Sequence, residues 1–330
     1  MPNTFIAELF FTPVNEDLRF LPEGPRVLRN HPTCNGQLGW VAIQHAADRP
    51  EGSFNILDLA TRRNRQFTLP GRPGFFAETV IPGVVIIGLD RRLILFDSLT
   101  PETGETLAEL DCRDDVIIND GLAVEGGVLL GTKHLKFNEP VAALYFFNSA
   151  TRHVHTVVDR QICSNGKFLK ADGTLIDIDS TPKTISRYRL DSSLNRVGGA
   201  SLVVAPDRLP ALPDGLRPTA EGESVVVAFF NPGRTSDGVA QEIALDTGAV
   251  RSEWKIPGSP RVTCPELIEW NGQVKVLFTT AVEGMDEETR RAAPGAGCLY
   301  IADTPFHRVP ASPPLVAIRS REVSVWASGG

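Results

Sequence analysis

The sequence predicts an all-β chain, a six-bladed β-propeller closed by an N-terminal strand, and three observations carry that expectation. Apolar residues fall in short, often alternating runs separated by Gly, Pro, Asn and Asp, which is the pattern of strands and turns. The runs group into units of about 45–55 residues, a period that suits a radial or stacked array of small sheets. An extra apolar run, Phe5–Phe11, precedes the first unit and would close the ring by pairing into the last one.

Taken in order, the strands expected are Phe5–Phe11, Leu38–Ile43, Ser53–Leu57, Val84–Gly88, Leu93–Asp97, Val128–Gly131, Ala143–Phe147, Thr174–Ile178, Thr184–Arg189, Ser224–Phe230, Ala240–Leu245, Val274–Thr280 and Cys298–Ala302. The units are clearest in three stretches, beginning at Asn119, Ser164 and Asp214. Each reads as a turn, an inner apolar strand, a strand ending in an Asp- or Asn-rich turn, and an outer strand. Only Asp286–Ala292 reads as helical, and it is short. A pair of β-sandwiches is the alternative, but the one Pro-rich linker candidate, Ala205–Pro218, sits inside a unit. The expectation is therefore one domain over residues 1–330, with 318–330 as a flexible tail.

Composition narrows the partners. The 330 residues are 42% hydrophobic, with 29 Gly and 25 Pro, as befits a globular chain rich in turns. A formal charge of −7 excludes a nucleic-acid surface, which would have to be basic. The five cysteines are scattered, with no CxxC pair, so neither a disulfide framework nor a zinc cluster is indicated and a cytoplasmic setting is expected. No apolar run is long enough to span a bilayer and the N-terminus lacks a signal-peptide pattern, so no membrane partner is expected. A small-molecule substrate and a monomer or weak homo-oligomer complete that expectation.

The candidate site starts from Pro213–Gly233, where Asp214 and Gly215 read as a turn leading into the strand Ser224–Phe230. Alone, an Asp-Gly turn is usually a solvated connection. However, Glu23 in LPEGPRVL and Asn165 in SNGKFLKADGTLIDIDS hold comparable places in other units. This triple resembles the senescence-marker-protein/gluconolactonase/luciferin-regenerating family. Further motifs extend the resemblance from about Glu23 to Asp303: the EGP turn at Glu23–Pro25, the run Gly39–Ile43, the NDG turn Asn119–Gly121 before Gly131-Thr132, and the stretch Thr279–Asp303.

The resemblance also implies a six-bladed propeller, with Glu23, Asn165 and Asp214 converging on its channel as ligands of one divalent cation. An all-oxygen donor set suits Ca²⁺ first, with Zn²⁺, Mg²⁺, Mn²⁺ or Fe²⁺ also acceptable. The implied reaction is hydrolysis of a lactone, with Asp214 taking a proton from the attacking water, Asn119 touching substrate, and Asp120 beside it in the substrate-binding set. Two departures bear on the substrate. Ile117 stands where family members carry a sugar-binding Arg, and Lys133 and His134 follow the Gly-Thr strand end. Lys133 and His134 are thus candidates to face a carboxylate or phosphate on the substrate, the bland alternative being a solvated loop with Lys136. His153 and His155 are expected on an outer strand, without a role. A non-catalytic binding propeller, or another ester or phosphotriester hydrolase on the same scaffold, is the alternative function.

Overall fold

The computed structural model describes residues 2–45, 49–318 and 324–325. Two short strands, β1 (Asn3–Ile6) and β2 (Glu8–Phe11), come first. Blade 1 then comprises β3 (Leu21–Val27), β4 (Leu38–Ile43), β5 (Gly52–Leu57) and β6 (Asn64–Leu69). Blade 2 comprises β7 (Pro73–Glu78), β8 (Val84–Leu89), β9 (Arg92–Asp97) and β10 (Thr103–Glu109). Blade 3 comprises β11 (Val116–Val124), β12 (Gly127–His134), β13 (Ala142–Asn148) and β14 (Val154–Gln161). Blade 4 comprises β15 (Ser164–Leu169), β16 (Thr174–Asp179), β17 (Thr184–Leu190) and β18 (Arg196–Val204). Blade 5 comprises β19 (Leu212–Pro218), β20 (Ser224–Phe230), β21 (Gly238–Ala244) and β22 (Val250–Ile256). Blade 6 takes β23 (Val262–Trp270), β24 (Gln273–Thr280) and β25 (Leu299–Asp303) from the end of the chain and β2 from its beginning.

The first strands of the blades, β3, β7, β11, β15, β19 and β23, touch one another in a closed ring. The fold is a six-bladed β-propeller. Its core is divided into separate apolar layers between neighbouring blades. Phe54, Phe76 and Phe96 fill the space between blades 1 and 2, with Phe54 5.0 Å from Phe76 and 5.9 Å from Phe96 between ring centroids. Trp254 and Phe278 do the same between blades 5 and 6, 6.2 Å apart. Because both faces of a blade are covered, its middle strands are apolar without a break: all six residues of Leu38–Ile43 are buried. Each large side chain so covered contributes roughly 1.5–3 kcal/mol.

The N-terminal run closes the ring, but not as one strand. Glu8–Phe11 pairs antiparallel with β25 in the last blade, whereas Asn3–Ile6 pairs parallel with β22 of blade 5. The break falls at Ala7, whose N–H donates to the Lys255 carbonyl at 2.8 Å and whose side chain is buried between those blades. Ring closure thus ties two blades. The expected helix is α1 (Glu287–Ala292), capped by Asp286, whose side chain accepts from the Thr289 N–H at 2.7 Å.

After β25 the chain crosses to blade 2, where Val316 bridges Thr79 in parallel and joins the core with Ile318. Of the tail expected over 318–330, only Ile318 and β26 (Ser324–Val325), which pairs with β10, fall within the described residues.

Candidate functional site

All six inner strands lose register at the same level. The irregularities lie between Glu23 and Arg26, Pro73 and Phe75, Ile118 and Asp120, Ser164 and Lys167, Pro213 and Leu216, and Val262 and Pro265. A bulge turns a side chain out of the regular pleat, and here it re-aims residues about the axis. Glu23, Asn119, Asn165 and Asp214 all sit in these bulges.

The segments read as turns before strands are therefore the inner strands themselves, a correction to the sequence reading of Asp214–Gly215. Gly215 is absent from the positive-φ residues. It is needed because the neighbouring strand is so near: a Cβ there would lie 2.8 Å from Cys264 Cα and 2.6 Å from its Sγ. Gly166 repeats the situation, since a Cβ would lie 2.4 Å from the Leu216 nitrogen. Close approach to the adjacent blade, rather than turn geometry, demands these glycines.

Asn165 and Asp214 are buried, each 6% exposed, while Glu23 keeps part of its surface open to the channel. Burial first, then the charges of Asp214 and Asp120, push the Glu23 carboxyl well above its ordinary range, against Lys133 and the Gly24 N–H. Burial likewise raises Asp214. The Lys133 ammonium and a hydrogen bond from Asn165 oppose that rise, and the charges of Asp120 and Glu283 add to it. Asp214 Oδ1 is fully buried and has no hydrogen-bond partner. Asn165 is held by its Nδ2, which donates to Ser180 Oγ at 3.1 Å, so its Oδ1 is the atom left for the channel.

The other expected residues divide. Asn119 lies in its bulge with Nδ2 donating to the Ser164 carbonyl at 3.1 Å. Asp120 has both oxygens engaged: Oδ1 accepts from the Gly121 N–H at 2.7 Å, and Oδ2 meets Lys167 Nζ at 3.3 Å. These contacts hold the bulge in shape.

Lys133 is 5% exposed and its charge acts on Glu23 and Asp214; Ile117 is its cross-strand partner and so shares its face. Neither belongs to a solvated loop, and of that group only Lys136 is exposed. His134 is a correction. It follows Lys133 on a strand and points the opposite way, where it is fully buried, with Nε2 3.2 Å from Asp115 Oδ2 and Nδ1 accepting from the Glu139 N–H at 3.2 Å. That imidazole fastens a loop and does not face the channel. His155 lies on the outer strand β14, and His153 immediately precedes that strand.

Several site neighbours carried no signal in the sequence reading. Lys167, its side chain 1% exposed, reaches both Asp120 and the Asn165 carbonyl. Thr263, wholly buried, fills the blade 6 bulge and donates to the Pro22 carbonyl at 2.7 Å. The thiols of Cys163 and Cys264 lie beside the carboxylates and are pushed up by burial. One signal was available: Lys167 and Arg217 lie two and three residues beyond Asn165 and Asp214, so a strand reading of those segments would have brought them to the channel.

The donor chemistry fits a hard cation. Two carboxylates both raised by burial, an oriented amide oxygen and an orphaned carboxylate oxygen are what such an ion would satisfy. Among the described residues no three His, Cys, Asp or Glu side chains gather closely enough to hold a metal, so the fit depends on the amide as third ligand.

Comparison with known proteins follows the same lines. The chain is similar in structure to the calcium-binding protein regucalcin from Agrobacterium tumefaciens, with 21% identity, a TM-score of 0.76, and coverage of 96% of this chain and 99% of that one. A luciferin-regenerating enzyme gives 19% identity and a TM-score of 0.77 over 95% and 100% of the two chains. A putative gluconolactonase gives 12% identity and 0.64 over 91% and 92%. At these identities the likeness is one of fold. No curated protein sequence matches significantly. The family model described as the SMP-30/Gluconolactonase/LRE-like region matches residues 21–281, and the chain belongs to that family.

Proposed function

We propose that the chain is a divalent-cation-dependent hydrolase that opens a small lactone. The observation that supports this reading is the set of inner-strand bulges holding Glu23 of blade 1, Asn165 of blade 4 and Asp214 of blade 5, with the Asp214 charge acting on Glu23 and an unpartnered oxygen on Asp214. The regucalcin to which the chain is similar is described as calcium-binding, in keeping with such a set. Glu23, Asn165 and Asp214 would hold the cation, Ca²⁺ first by donor type, and it would supply polarisation of the lactone carbonyl and acidification of a water.

The chain's own groups do the rest. Asp214, a buried carboxylate among the proposed ligands, accepts the proton of the attacking water. The water oxygen bonds to the carbonyl carbon, the ring C–O bond breaks, and the departing oxygen takes the proton back. Atoms balance as lactone plus water giving a hydroxy acid. Lys133 stands where it stabilises negative charge on substrate or product, and Asn119 orients the ring. Ile117 removes donors from the wall that a polyhydroxylated sugar would need. The preferred substrates are accordingly aliphatic or anionic lactones rather than gluconolactone-type sugars.

A lactone panel read by acid release, with and without chelator, tests the reading. Turnover of at least one lactone that chelator abolishes and Ca²⁺ or another divalent ion restores is the expected result. No turnover of any lactone, with metal bound, would leave a binding propeller instead.

A further inference from the structure

The far half of the channel differs from the bulged ring. A cavity of about 950 Å³ opens there, lined by the C-terminal halves of all six inner strands, among them Arg26, Glu78, Val124, Lys167, Arg217 and Glu266. Every wall strand has already passed its bulge. The cavity therefore lies on the axis at the opposite end from Glu23 and Asp214.

Its floor is a charged layer two or three residues beyond the bulge residues on the same strands. Arg217 Nε donates to Glu266 Oε2 at 2.6 Å, and Arg26 Nη1 meets the same oxygen at 3.3 Å. Lys167 is occupied by Asp120. Arg26, Arg217 and Lys167 against Glu266 and Asp120 leave one positive charge in excess. Arg26 also has donors to spare: its Nη1 serves Glu266 and the Pro25 carbonyl, while its Nε and Nη2 make no hydrogen bond among the described residues. The acidic residues Glu125, Asp191 and Glu269 also line the cavity but are exposed at its rim, where water and salt screen them.

Above the floor the wall is mostly apolar, with Val27, Leu122, Phe168, Leu169 and Val309 only partly buried by their neighbours. The segment Val309–Pro314 runs along the opening, and Arg29 Nη2 anchors it by donating to the Pro313 carbonyl. Three prolines, Pro310, Pro313 and Pro314, keep it stiff and remove N–H groups that would otherwise need partners. An apolar chamber with a partly buried, incompletely bonded guanidinium at its closed end is the form of a small-molecule site.

We propose that this chamber is a second binding site, separate from the bulged ring, for an apolar carboxylic acid whose carboxylate meets Arg26 and whose hydrocarbon or aromatic body lies along the Leu122, Phe168 and Leu169 wall. The carboxylate accepts two hydrogen bonds from the guanidinium fork, which only an anionic or planar acceptor can use fully.

Calorimetric titration of the full chain with sodium decanoate, beside uncharged 1-decanol, tests it. Decanoate is expected to bind at least about tenfold more tightly than decanol. Arg26→Gln should weaken decanoate by about tenfold or more, and Arg26→Lys should recover part of the loss. Ala311→Trp, on the exposed part of the strap, should weaken both ligands by narrowing the entrance, and decides the matter even should Arg26→Gln fold poorly. Asp214→Asn, at the other end, should leave decanoate affinity unchanged. Equal affinity for acid and alcohol, unchanged affinity in both Arg26→Gln and Ala311→Trp, loss confined to Asp214→Asn, or no decanoate binding at all would each overturn the proposal.

Discussion

Adjacent strands of blade 5 show two ways of using a β-strand. In β20, Ser224–Phe230, six of the seven residues are buried, five of them apolar, and the strand pairs without a break with β21. Its neighbour β19, Leu212–Pro218, holds two prolines, a glycine and two charged residues and loses register in the middle. The first serves stability, and the second carries the residue to which the proposed function assigns the chemistry. The inner strand tolerates poor strand residues because blades on either side hold it, and its irregularity is what turns Asp214 to the axis.

This contrast can be broken most forcefully at Asp214. Asp214→Asn should lower lactone turnover by about 10³-fold, within the roughly 10²–10⁴ expected of a general base. Its urea midpoint without metal should stay the same or rise, because a buried carboxylate lacking one hydrogen bond has been removed. A large loss of stability together with full activity would reverse the roles assigned to the two strands.

The complementary change is Phe229→Ala on β20, a side chain 1% exposed in the layer between blades 4 and 5. A loss of about 3–5 kcal/mol is expected from the cavity and the lost transfer energy. Urea unfolding measures it, and activity per folded molecule should be near wild type.

Blade 4 carries a titrating group that sharpens the comparison. Asp177 is pushed by burial up to about 7, against Lys167 and hydrogen bonds from Gln161 and Ser164. The folded chain then binds this proton more tightly than the unfolded chain between pH 3.8 and about 7. Stability from this group is complete below the unfolded value and is lost as pH rises through that window. The difference in unfolding free energy, from urea titrations, between wild type and Asp177→Asn should therefore shift against wild type from pH 4 to 7, by about a few kcal/mol. A pH-independent difference would show that the carboxyl is ionised throughout.

The smallest effect is expected at Lys133. Lys133→Ala should lower catalytic efficiency on an anionic lactone by about tenfold, in line with one charge-assisted hydrogen bond, and change a neutral aliphatic lactone little. A preference for sugar lactones that the variant does not alter would mean that Ile117 and Lys133 do not set the substrate.

Much of this was legible in the chain. The second and third strands of the blades emerged nearly residue for residue, as Leu38–Ile43 and Ser224–Phe230 show, because a strand covered on both faces must be continuously apolar. The inner strands passed for turns, since Pro, Gly, Asn and Asp are turn residues in any local reading. Outer strands such as β18, Arg196–Val204, whose first seven residues are exposed, left only a short apolar run at one end and were not read as strands.

By itself, then, the sequence determined the β class, the number of repeats and, through its motifs, the family, and it singled out Glu23, Asn119, Asn165 and Asp214 as the candidate site residues. All of these are properties of residue type and spacing along one chain. Tertiary structure alone decided that the N-terminal run divides between two blades, that Lys133 is turned inward while His134 is not, that Asp120 is occupied by Lys167, and that a second chamber lies beyond the charged layer. Those outcomes depend on which residues of different blades meet at the axis, and closure of the ring sets that distance and direction for all six inner strands at once.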